Sequence, residues 1–276
     1  MKIVFFGTGP YVLPILEQLN KGFEIPLVLT TEKSYTEPVS KFCKEKYIEC
    51  ILVSKFNEAV VSKIKKAGAE IATLAYFGMI LPRSVLDIFP KGIINVHPSL
   101  LPLYRGSTPG QSALLNGDTK TGVTIIKLDE EVDHGPILVQ KEQEILTSDT
   151  SSTLYERLFS TGAQLLPNTL HKYLPGELKP AEQNHNEATF TKTLTRDSGF
   201  ISLEDVPYKK TIENMIRAYF PWPGVWFKAK LGETEKRIIL LPEGKIQVEG
   251  KKEMSYKDFV NGYAEAKEIL QKLNLL

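Results

Sequence analysis

Through its N-terminal half the chain alternates short apolar runs with helix-patterned segments of about ten residues, and this rhythm leaves few folds open. KIVFF (2–6) precedes a helical pattern over Tyr11–Lys21, PLVLT (26–30) one over Val39–Lys46, and IECILV (48–53) one over Asn57–Ala67. EIATLA (69–74) leads to a short helix near Arg83–Phe89 and GIINV (92–96) to one over Pro109–Leu115, after which VTIIKL (123–128) and ILVQKE (137–142) follow. Parallel neighbours in a sheet need a long crossover between them, and a helix is the usual one. The expected class is therefore α/β: a Rossmann-like, mostly parallel sheet with helices on both faces. A longer helix over Thr150–Tyr173 carries Leu154, Leu158, Ala163 and Leu166, a stripe suited to cover one sheet face.

Composition shifts after that helix. Residues 174–200 are polar and rich in turn formers, as a surface segment would be. Beyond them come a helical pattern over Tyr208–Tyr219, PWPG at 221–224, and strand-like runs at 225–231, 237–241 and 245–250. A single helix is expected from Tyr256 to Leu273. The expected organisation is a first domain over 1–185, a linker over 186–204, and a small β-barrel-like α+β domain over 205–276.

A formal net charge of +1 on 276 residues provides no general polyanion-binding field, so any nucleic-acid contact needs a local basic face. Cys43 and Cys50 have neither CxxC spacing nor a histidine nearby in sequence, and read as two reduced thiols rather than a disulfide or zinc site. MKIVFFGTG enters a strand at once, without the apolar core of a secretory signal. No apolar run approaches the ~20 residues that span a bilayer. The expectation is a cytoplasmic monomer.

The candidate chemistry gathers in GIINVHPSLLPLYRGSTP (92–109). Asn95 and His97 stand two apart on a strand, so they project to the same side, near the strand end where open parallel sheets bind ligands. Asn95 offers an amide donor that does not titrate. Downstream, LDEEVDHGPI (128–137) carries Asp129, Glu130, Glu131 and Asp133. A carboxylate within ~4–6 Å of an imidazole favours its charged form. An amide and a cationic ring aimed at one point suit the developing oxyanion of an acyl transfer. A structural role for the same pair fits these residues as well. Ser99 follows Pro98 and lacks a G-x-S-x-G elbow, and no cysteine is near, which leaves attack by an external nucleophile. GTGP (7–10) lacks the third glycine and the acidic second-strand end of a dinucleotide fingerprint, and reads as a tight turn. His134, His171 and His185 read as surface histidines, and Arg105 as a cap on backbone carbonyls or an anion ligand.

NVHPSLLPLYRG (95–106) together with TGVTIIKLDEEVDHGPIL (121–138) resembles the folate-dependent formyltransferases. In that family an Asn-x-His, a Ser-Leu-Leu-Pro loop and an aspartate about thirty-five residues on recur together; His97 and Asp133 are 36 apart. GTGPYVLPILEQL (7–19) and AYFGMILP (75–82) extend the likeness. The resemblance implies that Asn95, His97 and Asp133 are catalytic, with no metal and no covalent enzyme intermediate. It implies a pocket for the pterin end of 10-formyltetrahydrofolate lined by Phe77, Met79, Ile80, Leu81, Leu128, Glu130 and Val132. Ser99, Leu100, Leu101, Pro102, Tyr104, Arg105 and Lys192 would then face the acceptor. FTKTLTRDSGFI (190–201), IRAYFPWPGVWF (216–227) and VEGKKEMSYKDFVNGY (248–263) resemble the branch that formylates initiator methionyl-tRNA, which implies a place in translation initiation. TTEKSYTEPVSK (30–41) stands where that branch carries a long basic loop, and it is short and without arginine. A nucleotide-linked amino sugar is therefore the second acceptor reading. A silent folate- or nucleotide-binding module would have lost one of Asn95, His97 or Asp133, and all three are present.

Overall fold

The computed structural model describes residues 1–31 and 37–276; residues 32–36, inside the short 30–41 stretch, lie outside the described residues. Two compact units result, each built from separate stretches of chain. The first comprises Met1–Pro109, Lys120–Glu144 and Tyr155–Thr191, the second Gly110–Thr119, Ile145–Leu154 and Lys192–Leu276. The last break, between residues 191 and 192, falls inside the 186–204 segment. The inclusion of 110–119 and 145–154 in the second unit is a long-range association that no linear reading of composition would register.

In chain order the elements are β1 (Lys2–Gly7), α1 (Leu13–Gly22), β2 (Glu24–Thr31), α2 (Glu37–Glu45), β3 (Glu49–Val53), α3 (Glu58–Lys66), β4 (Ile71–Ala75), α4 (Arg83–Leu86) and β5 (Ile93–His97). Then follow α5 (Pro109–Asn116), β6 (Lys120–Lys127), β7 (Ile137–Glu144) and α6 (Ser151–Tyr173). The seven strands form one sheet in the order β3-β2-β1-β4-β5-β6-β7. The first five are parallel, and β6 and β7 add on antiparallel. β2 starts before the expected PLVLT run and passes through Pro26. A register shift against β1 absorbs that residue, and pairing with β3 begins only at Leu27.

Each face of the sheet is sealed by aromatic residues. On one, Phe6 meets Phe77, Phe89 and Phe56 at ring-centroid distances of 5.4, 6.3 and 6.5 Å. Ile93 joins this cluster, and Asn95, two residues on, shares its side of β5. On the other face Tyr11, Tyr76, Tyr155 and Phe159 pack together. There α6 lies so close that a Cβ on Gly162 would stand 2.5 Å from Val96 Cγ1. Val96 thus ties β5 to the helix, while its neighbours Asn95 and His97 look the opposite way.

The second unit contains α7 (Lys209–Tyr219) and a four-stranded antiparallel sheet in the order β11-β10-β9-β8. Its strands are β8 (Val225–Leu231), β9 (Thr234–Leu241), β10 (Lys245–Val248) and β11 (Met254–Ser255). The single helix expected over 256–273 is two, α8 (Tyr256–Gly262) and α9 (Ala266–Lys272). Ser255 caps α8 by accepting from the Asp258 N–H. Gly262 weakens the helix end and Tyr263 turns extended, with φ −141° and ψ 127°, so that Phe259 and Leu270 are both buried. Among the described residues no helix is long and apolar enough to cross a membrane.

Because Phe6 is the hub of three aromatic contacts under β1, Phe6→Ala should cost ~3–5 kcal/mol of stability. Chemical unfolding followed by circular dichroism measures it, and a near-neutral result would mean that the cluster does not carry the sheet.

Candidate active site

β5 delivers Asn95 and His97 to one side of the sheet, and both are buried. The loop between β6 and β7 brings Asp133 to them. Leu128 N donates to Ile93 O at 2.8 Å and Lys127 N to Pro136 O at 3.0 Å, which closes the loop at its base. Gly135 makes this possible, since a Cβ there would lie 1.9 Å from Lys127 O. Asp133 itself adopts φ 49°, a left-handed conformation that costs a non-glycine residue energy and is retained where surrounding contacts enforce it.

Those contacts are specific. Asn95 Nδ2 donates to Asp133 Oδ1 at 3.2 Å, and His97 Nδ1 stands 3.4 Å from the same oxygen. Gly106 N donates to Asp133 Oδ2 at 2.8 Å. His97 Nε2 lies 3.1 Å from Tyr104 O. Both ring nitrogens therefore face acceptors, and both bonds are made only when each nitrogen carries a proton. Burial pushes the Asp133 carboxyl up, but the His97 ring, the Gly106 N–H and the Arg105 guanidinium outweigh it and hold the group below the usual carboxylate range.

Two of the other acids of the loop are paired with neighbouring side chains. Asp129 Oδ2 meets His134 Nδ1 at 2.6 Å, and Glu130 pairs with the Arg83 guanidinium. Both are surface contacts, whereas the Asp133 carboxylate is turned inward.

Met79, Ile80, Leu81, Leu128, Glu130 and Val132 line one cavity of about 120 Å³ together with Asn95 and Asp133. Ile80 and Val132 form exposed apolar lips, 78% and 48% accessible. Phe77 differs from expectation: it is buried in the Phe6 cluster, because the pocket is walled by the residues after it.

The 98–108 loop also departs from expectation. Ser99 is fully buried, and its hydroxyl donates to Leu103 O at 2.6 Å. Leu101 is buried, its N–H donating to Thr124 Oγ1, and Leu100 packs over Gly122. Arg105 is 3% exposed and directs its guanidinium to Gln183 Oε1 at 2.7 Å and His185 Nδ1 at 2.8 Å. These four side chains build the loop rather than a surface for an acceptor. Pro102 and Tyr104 are half-buried, and Lys192 is exposed in the second unit.

An extended segment pins this loop. Arg105 N donates to Thr189 O and Thr191 N to Arg105 O, each at 2.8 Å. Gly106, at φ 113°, passes so near that a Cβ would sit 2.5 Å from Thr191 Oγ1. The polar 183–191 stretch, which reads as surface linker, is thus part of the scaffold behind Asp133. Its one sequence signal is a glutamine among solvated neighbours, which carries no mark of burial. Among the described residues no group of three or more His, Cys, Asp or Glu is placed to hold a metal ion.

Comparison with known proteins identifies the family. Residues 1–170 match the family model described as "Formyl transferase". The "Methionyl-tRNA formyltransferase" of Roseiflexus castenholzii is 43% identical, over 86% of this chain and 80% of that protein. Its counterpart in Carboxydothermus hydrogenoformans is 33% identical, over 95% and 97%. Among solved structures, a 4-N formyltransferase from Francisella tularensis superposes with a TM-score of 0.71 at 19% identity, over 87% of this chain and 97% of that one, a likeness of fold. With one family model spanning more than half of its length and relatives this similar over most of theirs, the chain belongs to the formyl transferase family.

Proposed function

We propose that the protein transfers the formyl group of 10-formyltetrahydrofolate to the amino group of initiator methionyl-tRNA. The observation that carries the reading is the buried, ionised Asp133 carboxylate, fixed between Asn95, His97 and the Gly106 N–H at the edge of an apolar pocket. Such a site supplies an amide donor and an imidazole but no activated nucleophile of its own, which matches direct attack by an external amine. The relatives' names, at 33 and 43% identity, support methionyl-tRNA as the source of that amine.

The pterin end of the folate would enter between Met79, Ile80, Leu81, Leu128 and Val132. The neutral amine attacks the formyl carbon, and the carbonyl π pair moves onto oxygen. Asn95 has two amide hydrogens and gives one to Asp133, so the second serves the oxyanion. The His97 ring, fixed between Asp133 and the Tyr104 carbonyl, stands beside the same anion. As the tetrahedral intermediate collapses, the C–N10 bond breaks, and the proton lost by the amine goes to N10 of the departing tetrahydrofolate. The first unit supplies this chemistry. The second, with Lys192, Lys251 and Lys252 exposed, would hold the acceptor, and the roles of all these residues follow from this assignment.

The test is formyl transfer from 10-formyltetrahydrofolate to methionine-charged initiator tRNA, with mass spectrometry of the released amino acid. Formyl-methionine should appear, and His97→Ala should lower its rate ~10²–10³-fold, the usual cost of losing one stabilising group for an oxyanion. Protein that binds the folate yet yields no formyl-methionine would move the acceptor to a nucleotide-linked amino sugar, which the short 30–41 stretch favours. Lys251→Ala with Lys252→Ala should weaken tRNA binding and flatten its dependence on salt. An unchanged slope removes both lysines from the interface.

The Asp133 carboxyl is depressed in the folded protein, so its contribution to stability is complete above its unfolded value near ~3.9 and is lost as pH falls through the lower folded one. Urea unfolding below about pH 4 should therefore weaken the native protein more steeply than Asp133→Asn. Parallel pH curves would show that the carboxylate is not held in this way.

A further inference from the structure

We infer that Gln183 is a positioning residue for the formyl transfer, clamping the Asp133 loop to the Tyr104–Gly106 loop so that the carboxylate stays aimed at Asn95 and His97. The inference rests on the function proposed above and deepens it.

Gln183 is 5% exposed, and all of its hydrogen-bonding capacity is directed at these two loops. Its Nε2 donates to Asp133 O at 2.9 Å and to Gly135 O at 2.7 Å. Its Oε1 accepts from the Arg105 guanidinium, at 2.7 Å from Nη2 and 3.3 Å from Nε. An amide is the group that fits, because one end must face donors and the other two carbonyls. The reversed amide would set its oxygen against both carbonyls and its N–H groups against the guanidinium, so the orientation is fixed by chemistry. Glutamate would satisfy Arg105 but place an anion beside the carbonyls of Asp133 and Gly135.

The position of the clamp explains how the left-handed Asp133 is held. One of its bonds grips the Asp133 carbonyl itself, and the other grips Gly135, whose backbone is already pressed against Lys127 O. The opposite end grips Arg105, next to the Gly106 N–H that binds the Asp133 carboxylate. A second brace runs alongside: Arg105 Nη2 donates to His185 Nδ1 at 2.8 Å, and the His185 ring stacks on His134 at 3.9 Å and 4°. Gln183 and His185 thus converge on Arg105, the neighbour of the Gly106 whose N–H binds the Asp133 carboxylate.

The experiment compares the full-length protein with Gln183→Met, of similar length and without polar ends, and with Gln183→Glu, which keeps the Arg105 partner and loses both donors. Both variants should lower kcat ~10²-fold, the scale of an ångström-level misplacement, while KM for the folate changes little. Asp133 faces His97, Asn95 and the charge of Arg105, and Asp129, Glu130 and Glu131 line the same cleft, so the diagnostic readout is its own titration. With the clamp gone the carboxylate loses its hold on His97 and Gly106, and the acid limb of the kcat–pH profile moves to higher pH. Carbon-13 NMR of the Asp133 carboxyl should show the same upward movement without any turnover. Thermal melting gives the folded fraction. Folded variants with native kcat and an unmoved Asp133 titration overturn the inference, as does a loss of activity that merely follows the folded fraction. Wild-type protein without formyl transfer to any acceptor would defeat the functional reading instead, while the NMR titration still decides the clamp.

Discussion

A carboxylate taken almost wholly out of water must be met by donors, and the need of Asp133 organises its part of the first unit. Its two oxygens draw on an asparagine, a histidine and a backbone N–H from two separate chain segments. Each of those donors needs its own support. β5 and the aromatic cluster beneath it hold Asn95, Val96 packs closely against Gly162 of α6, and the 189–191 segment sets the Gly106 peptide. The outcome is a buried carboxyl held below its usual range because donors meet both of its oxygens.

Most of the architecture was legible in the sequence because it follows from patterns that a single chain displays. Alternating strand and helix runs forced a parallel sheet, and the spacing from Asn95 to His97 placed both on one face. Resemblance then picked Asp133 out of four acids that the residues alone left equal. What escaped reading was the direction of side chains in irregular loops. Ser99, Leu101 and Arg105 look polar or exposed beside prolines, yet they point inward, because the loop folds over Thr124 and against 189–191. Phe77 belongs to the expected pocket only through the resemblance, and its burial depends on Phe6, more than seventy residues earlier.

The break between α8 and α9 and the recruitment of 110–119 and 145–154 into the second unit have the same origin. Local propensity allows a helix through Tyr263, and tertiary burial of Phe259 and Leu270 breaks it. Likewise, a polar glutamine in a turn-rich stretch is locally a surface residue. Only the meeting of Arg105 with two carbonyls makes it an interior one.

The 183–191 segment also orders events in time. A chain made from its N-terminus contains β5, the proline-rich loop and Asp133 well before it contains Gln183, Thr189 and Thr191. At that stage the sheet strands and the three polar residues already exist, but nothing yet pins Arg105 or the carbonyls beside the carboxylate. Synthesis of the last stretch of the first unit therefore locks a group of residues of which the last, Asp133, was made fifty residues before Gln183. A nascent or prematurely ended chain would hold these residues without the strap that fastens their loops together.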